Sequence, residues 1–298
     1  MLHFKPISLS DKKAIDACLS NNTYRACDFC FTNLFAWQAK FKTTFAIEQH
    51  TLFIRYNDTA GELCYMLPIG KMPLEKSLPL IMNDAKENGI PFVMKGITDR
   101  MWDDIMTVFP DTFRYTHDRD NDEYIYLSEK LIELKGRKLQ SKRNHINRFK
   151  KDNPDWTYVP IATVEDLDEC ARMFDQWDSL MLDKAPDSLR YDNIATKLML
   201  ENFDYLALRG GAIRVNDKIV AFTIGEPLTK DTFVTHVEKA YADVNGAYSI
   251  INQQFAEHEA ATYKYINREE DMGLDSLRKA KESYYPDILL QERILSLK

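Results

Sequence analysis

The chain has 298 residues, of which 29% are charged and 45% hydrophobic, and a formal net charge of −7. This length suffices for two ordinary domains, and the composition excludes a disordered or fibrous protein. No apolar run approaches the roughly 18 residues of a bilayer-spanning helix, and the N-terminal residues lack the pattern of a secretory signal. We therefore expect a cytoplasmic protein without integral membrane association. The sequence does not specify its oligomeric state.

The first half of the chain predicts a short run of helices followed by a β-β-β-α-β-α-β core. Periodicity and turn residues place helices at 10–19 and 27–40, strands at 43–47, 51–56 and 62–67, a helix at 74–88, a strand at 91–97, a helix at 99–109 and strands at 112–117 and 123–127. We expect residues 1–130 to form the N-terminal domain.

Five cysteines at irregular spacing exclude a disulfide framework. Cys27 and Cys30 form a C-x-x-C pair, but zinc would need two more ligands and no second pair follows. We expect buried thiols and no metal site.

Residues 135–151, called the basic segment below, carry eight Lys or Arg and no Asp or Glu, which leaves −15 on the rest of the chain. Leu139, Ile146 and Phe149 form a narrow apolar stripe, so the segment predicts a helix, within a linker at 131–155, that docks by this stripe and displays its charge. The expected anion-binding residues are Lys138, Lys142, Arg143, Arg148, Lys150 and Lys151. The alternative is a solvated helix paired with carboxylates.

The second half, residues 156–298, predicts a C-terminal domain of the order β-α-α-β-β-β-α-β-α-β. Its elements are a strand at 157–161, helices at 164–182 and 187–203, strands at 205–215, 218–226 and 232–238, a helix at 247–262, a strand at 263–267, a helix at 274–284 and a strand at 288–295. We predict the α+β class, with a mixed sheet flanked by helices in each half.

This order, occurring twice, resembles tandem GNAT-like (acyl-CoA N-acyltransferase-like) folds. The stretches CDFCFTNLFAW (27–37), LKGRKLQSKRNHINRFKKDNP (134–154) and INREEDMGLDSLRKAKESYYP (266–286) look like a bacterial family related to the C-terminal part of phosphatidylglycerol lysyltransferases. Fem-type transferases share this tandem organisation. The resemblance implies aminoacyl transfer from tRNA, and it leaves the acceptor open, including whether it is a lipid.

In a GNAT-like domain, the turn and helix start at 243–250 would meet the donor through unpaired backbone N–H groups. The expected donor-binding residues are Asn245, Gly246, Ala247, Tyr248 and Ser249. The alternative is an ordinary strand-to-helix turn.

The resemblance also implies catalytic residues. His236 and Glu238 alternate on a strand and should share a face; either could take a proton from the acceptor. Tyr284, with Tyr285 as alternative, would protonate the leaving group. The competing interpretations are an exposed polar pair and a tyrosine that anchors the core.

Polar residues after the strand at 263–267 are expected to bind substrate: Asn267, Arg268, Glu269, Asp271, Arg278 and Lys281. Arg268 suits a carboxylate or phosphate, whereas Glu269 and Asp271 suit an ammonium group. Helix capping and surface charge are the alternatives.

Two functions therefore stand. The first is an acyltransferase that uses aminoacyl-tRNA or acyl-CoA as donor substrate, has no tightly bound cofactor, and modifies an amine or hydroxyl. The second is a non-catalytic tandem GNAT-like module that binds RNA or another anionic partner through the basic segment.

Overall fold

The computed structural model describes residues 2–181 and 187–298, which form two compact units. The first unit comprises Met1–Glu123, Glu270–Leu274 and Leu289–Lys298, and the second comprises Tyr124–Glu269 and Asp275–Ile288. The chain therefore enters each unit more than once. The domain boundaries at 130 and 155 stay a prediction.

The first part of the chain supplies seven strands and five helices among the described residues. They are β1 (Lys5–Pro6), α1 (Lys12–Leu19), α2 (Phe31–Ala36), α3 (Gln38–Phe41), β2 (Thr44–Glu48), β3 (Thr51–Asn57), β4 (Leu63–Tyr65), β5 (Ile69–Gly70), α4 (Leu74–Glu87), β6 (Val93–Ile97), α5 (Asp99–Val108) and β7 (Phe113–His117). The helix predicted at 27–40 is two short helices. The first begins only after Cys30, whose sulfur accepts a hydrogen bond from Asn33 N, and the two helices are separated at Trp37. All five cysteines are buried free thiols, as predicted.

The remaining elements follow in chain order. They are β8 (Glu123–Leu127), α6 (Ser128–Glu133), α7 (Gln140–Asp152), β9 (Thr157–Pro160), α8 (Val164–Met181), α9 (Asp187–Glu201), α10 (Phe203–Leu206), β10 (Arg209–Val215), β11 (Lys218–Pro227), β12 (Thr232–Ala240), α11 (Ala247–Glu259), β13 (Tyr265–Glu270), α12 (Asp275–Glu282), β14 (Ile288–Leu290) and β15 (Arg293–Leu297). The predicted helix end at Leu182 lies outside the described residues.

Both sheets are mixed. The first has the order β1-β2-β3-β4-β6-β15-β7, with β5 paired to β3, and its β4–β6 pair is parallel. The second has the order β14-β8-β13-β12-β11-β10-β9, and its β12–β13 pair is parallel. The predicted fold class, α+β with two mixed sheets flanked by helices, is confirmed. Two strands differ from expectation: β8 pairs within the second sheet, and β15 pairs with β6 and β7 in the first.

The basic segment forms α7 together with the turn that precedes it, and it docks as its apolar stripe predicts. Leu139, Ile146 and Phe149 are all buried, and α7 packs against α11. Full burial of each such side chain stabilises the packing by about 1.5–3 kcal/mol. This docking places α7 beside the N-terminal half of α11, where the candidate site lies.

Candidate active site

The ion pair between Glu238 and Arg268 lies on two parallel strands of the second unit. Glu238 belongs to β12 and Arg268 to β13, and Arg268 Nη2 donates a hydrogen bond to Glu238 Oε1 at 2.9 Å. From α11, Asn252 Nδ2 donates to Glu238 Oε2 at 3.0 Å. The side chains of Arg268 and Glu238 are only 9% and 15% exposed. Because this pair is largely removed from water, each charge is stabilised mainly by the opposite charge of its partner.

Tyr284, just beyond α12, belongs to the same group, and we name these four residues (Glu238, Arg268, Asn252 and Tyr284) the Glu238 cluster. Arg268 Cζ lies 4.9 Å from the centre of the Tyr284 ring. Burial raises the pKa of Tyr284; Arg268 opposes this rise, Glu238 adds to it, and the Ser249 side chain opposes it. The phenol therefore stays protonated at neutral pH, as a proton donor requires.

Three buried polar atoms around Glu238 have no hydrogen-bond partner among the described residues. They are Arg268 Nη1, Asn252 Oδ1 and Thr223 Oγ1. Thr223 stands directly opposite Glu238 across the β11–β12 ladder, so both side chains project from the same side of the sheet. An unpaired buried polar group costs about 1–3 kcal/mol. One donor, one acceptor and one hydroxyl at this site thus lack a hydrogen-bond partner among the described residues.

Lys142 faces the Glu238 cluster, although the sequence assigned it to an outward basic face. Its side chain is half-buried, and its Nζ lies 4.1 Å from the centre of the Tyr284 ring. Burial and the charge of Arg268 lower the pKa of Lys142 to about 8, against the opposing effect of Glu238. At physiological pH a larger fraction of this lysine is therefore neutral than of an ordinary lysine.

The other predicted anion-binding residues fall into two groups. Arg143 does not display its charge freely, because its Nη1 donates to the backbone carbonyls of Leu134 and Gly136. The exposed members are Lys138, Arg148, Lys150 and Lys151. Arg148 pairs with Asp152 at 3.4 Å, but its side chain remains 67% exposed.

Aromatic rings accompany two of the exposed lysines. Lys138 Nζ lies 5.1 Å from the centre of the Tyr285 ring, and Lys150 Nζ lies 4.9 Å from that of Trp156. Such cation–π contacts leave the ammonium group accessible to an anion. Among the anion-binding candidates, Arg148 alone forms an ion pair within the described part of the chain. The expectation of a helix neutralised by carboxylates thus holds for Arg148 only.

Gly246 makes the close backbone approach that its position predicts, but the approach is to α7. It caps α11 with φ +87°, and a Cβ atom there would lie 2.5 Å from His145 O and 2.9 Å from Phe149 Cβ. Glycine is therefore required both by the backbone conformation and by the contact.

The other predicted donor-binding residues divide by exposure. Asn245 and Tyr248 are exposed, whereas Ala247 and Ser249 are buried. Of these four, Ser249 lies beside Tyr284 and so borders the Glu238 cluster.

His236 binds other partners than Glu238. Thr235 pairs with Gly225 and Val237 with Ile224, so His236 is the extra residue of a β-bulge. The bulge breaks the alternation on which the same-face expectation rested. His236 Nδ1 lies 2.8 Å from Glu269 Oε1, and Nε2 lies 3.1 Å from Glu226 Oε1. Both ring nitrogens are thus engaged by carboxylates.

Among the predicted substrate-binding residues, the structure brings Arg268 into the Glu238 cluster. Asn267 is buried, and its Oδ1 accepts a hydrogen bond from Glu269 N at 2.8 Å, which shapes the end of β13. Asp271 belongs to the first unit, where it pairs with Arg119 at 3.6 Å.

The last two predicted substrate-binding residues lie on α12. Arg278 is half-buried. Lys281 is buried, its Nζ lies 5.7 Å from the centre of the Tyr124 ring, and its carbonyl accepts a hydrogen bond from the Tyr126 hydroxyl.

Two residues of the site were absent from the sequence prediction. Asn252 lies three positions after Ser249, which puts both on one face of α11, and this spacing could have revealed it. Thr223 is found only through the register of β11 against β12, which the sequence does not specify.

None of the helices in the described ranges combines the length and apolar character needed to cross a bilayer.

Comparison with solved structures gives relatives that align with most or all of the chain. A conserved protein of unknown function from Bacteroides thetaiotaomicron is 39% identical, with a TM-score of 0.92 and 100% of both chains covered. The structure of L-PGS from Bacillus licheniformis is 15% identical, with a TM-score of 0.65, covering 96% of this chain and 91% of that one. The second likeness concerns the fold alone.

A curated relative, an uncharacterized protein of Mycoplasmoides gallisepticum, is 22% identical over 181 residues. The match covers 58% of this chain and 56% of that protein, so it spans little more than half of the relative. The sequence profile of the family described as phosphatidylglycerol lysyltransferase, C-terminal, matches residues 22–293. The resemblance seen in the sequence is therefore confirmed, and the chain belongs to this family of phosphatidylglycerol lysyltransferase C-terminal domains.

Proposed function

We propose that this protein is a GNAT-like transferase that moves an aminoacyl, or other acyl, group from an activated donor such as aminoacyl-tRNA to an amine or hydroxyl acceptor. The reaction would take place at the Glu238 cluster. The observation that carries the proposal is the buried, unpaired Nη1 of Arg268 beside a protonated tyrosine. Membership of the lysyltransferase family supports the same chemistry.

Arg268 would stabilise the oxyanion of the reacting ester. Glu238 holds Nη2, which leaves the N–H groups of Nη1 for the carbonyl oxygen of the donor. A guanidinium group remains charged at all relevant pH values, so its stabilisation of negative charge needs no proton transfer. Removal of one such donor typically costs 10²–10³ in kcat.

Tyr284 would donate the proton that the leaving oxygen needs, because burial keeps its hydroxyl protonated. Glu238 has a different task from the base expected from its sequence position. Both of its oxygens already accept hydrogen bonds, from Arg268 and Asn252. We therefore assign it the orientation of Arg268, as a positioning residue.

The exposed part of the basic segment supports a nucleic-acid donor. Lys138, Arg148, Lys150 and Lys151 can each meet a phosphate, and such contacts provide sequence-independent affinity that falls with salt. An acyl-CoA donor needs fewer phosphate contacts, so the salt dependence of binding distinguishes the two donors.

The test follows radiolabelled amino acid from charged tRNA, and radiolabelled acetyl from acetyl-CoA, to phosphatidylglycerol vesicles or to small amines. We expect transfer from tRNA by the wild-type protein. Arg268→Lys should lower the rate about 100-fold, since lysine lacks the second arm of the guanidinium fork. Arg209→Lys, at an exposed arginine of the second unit, is the matched control.

Three outcomes decide between the functions. Salt-sensitive tRNA binding without transfer to any acceptor would favour the non-catalytic module. Transfer from acetyl-CoA alone would replace the tRNA donor. Equal rates for wild type and Arg268→Lys would contradict the assigned site.

A further inference from the structure

We propose that Lys142 is the proton acceptor for the attacking amine or hydroxyl, a catalytic role within the transfer reaction proposed above. The proposal rests on that function and adds a residue that the sequence assigned to phosphate binding.

The position of Lys142 separates it from the other cations of the basic segment. Lys138 and Lys150 lie on rings while exposed to solvent, whereas Lys142 is half-buried against Tyr284, which is itself buried. No ion pair involving Lys142 occurs among the described residues. The direct contact of its ammonium group is therefore with an aromatic ring. A ring stabilises the charged form of a lysine less than a carboxylate does.

The charges around Lys142 come from several elements. Glu238 on β12 and Arg268 on β13 neutralise each other. Tyr284 faces Lys142 from beyond α12. The basic segment itself contributes the nearby titratable groups Lys138, Arg143 and His145.

Together, these surroundings make Lys142 easier to deprotonate than an ordinary lysine. Burial acts first and Arg268 second in lowering the pKa of Lys142 to about 8, and Glu238 opposes them. About a tenth of the lysine is neutral one pH unit below that value, which suffices for a general base.

Lys142 and Tyr284 together account for every proton that the transfer reaction moves. The acceptor nitrogen or oxygen attacks the donor ester carbonyl, a new C–N or C–O bond forms, and the acceptor proton passes to neutral Lys142. The ester C–O bond then breaks, and Tyr284 gives its proton to the departing oxygen. The Lys142 ammonium returns a proton to the Tyr284 phenolate, which restores both groups.

The first experiment measures titration without activity. Wild-type protein is labelled with a trace of acetic anhydride between pH 6 and 11, and peptides containing Lys142 are quantified by mass spectrometry against those of the exposed Lys218. We expect half-maximal reactivity of Lys142 near pH 8, clearly below the reference lysine. Equal midpoints for the two lysines would overturn the proposal.

The second experiment measures transfer against pH for wild type, Lys142→Arg and the control Lys218→Arg. Wild type should rise to a plateau with a midpoint near pH 8. Lys142→Arg keeps a charge but cannot deprotonate, so we expect a loss of about 100-fold and of the rising limb. Melting temperatures establish that each variant folds.

The two proposals fail differently. An unchanged profile in Lys142→Arg would overturn the role of Lys142 and leave the transferase standing. An absence of transfer by wild type from every donor would overturn both. Loss of rate in Lys142→Arg with the same pH midpoint would assign Lys142 to substrate binding and contradict proton transfer.

Discussion

The two ends of α7 carry similar charge and have different surroundings. At the first turn, Lys142 contacts Tyr284 beside the Glu238 cluster, whereas in the last turn Lys150 and Lys151 are exposed. The first end carries a half-buried lysine whose pKa is lowered to about 8, and the second carries exposed lysines of fixed charge. A count of basic residues therefore overstates how much of this charge faces solvent, because it does not separate Lys142 from the exposed cations.

Removal of Arg268 should produce the largest effect at the buried end. Arg268→Leu leaves the Glu238 carboxylate buried without its cation, so we expect a loss of about 3–5 kcal/mol in the free energy of unfolding. Urea denaturation measures it. The double variant Glu238→Leu/Arg268→Leu should recover most of the loss. A single variant within 1 kcal/mol of wild type would show that the pair is not buried as described.

Gly246→Ala should disturb the contact between α7 and α11, which lies between the two ends of α7. The new Cβ would lie 2.5 Å from the His145 carbonyl oxygen, so we expect destabilisation by about 2–3 kcal/mol. Gly61→Ala is the matched control, since Gly61 has φ +84° and no atom within 4 Å of the new Cβ; backbone strain alone should cost it about 1 kcal/mol. Equal losses would argue against the close contact.

The pH dependence of stability tests the titration of Lys142. Its folded pKa, about 8, lies below the ordinary value of 10.5, so between these values the unfolded chain binds more protons. Stability from this group therefore rises with pH across the window. After discounting for solvent screening, we expect about 1–2 kcal/mol. Urea unfolding of Lys142→Met at pH 7.5 and 10.5 should lack this rise, while Lys218→Met should keep it.

Substitution of single lysines at the exposed end of α7 should give the smallest effects, and these should appear in tRNA binding. Lys150→Ala and Lys151→Ala are each expected to weaken tRNA binding a few-fold and to lower the slope of log K against log salt by about 1. Filter binding between 50 and 200 mM salt measures both quantities. Lys218→Ala should leave the slope unchanged; a change as large as that of Lys150→Ala would indicate non-specific attraction.

The sequence predicted the helix of the basic segment, the stripe by which it docks and three members of the Glu238 cluster, but it assigned Lys142 to the outward face of that helix. Lys142 follows Leu139 by three positions and precedes Ile146 by four, so it lies within the docking stripe. That spacing was available before the structure, but charge alone suggested an outward face. Local periodicity thus outranks residue type when a long cationic side chain borders an apolar stripe.

Other features depended on pairings that no local pattern reveals. The bulge at His236 shifts one residue in β12, and strict alternation therefore put His236 beside Glu238. The contribution of Thr223 follows from strand register. Both arise from tertiary constraints, which override the two-residue period of a strand.

The place of β15 has a consequence for how the chain matures. Because Arg293–Leu297 pair with both β6 and β7, the first sheet lacks an internal strand until residues 293–297 have been synthesised. The first sheet therefore cannot be completed while only the N-terminal half has been synthesised, and a truncation before Arg293 would leave β7 without its partner strand. Fragments cut between the two halves of the sequence would accordingly be poor substitutes for the intact polypeptide.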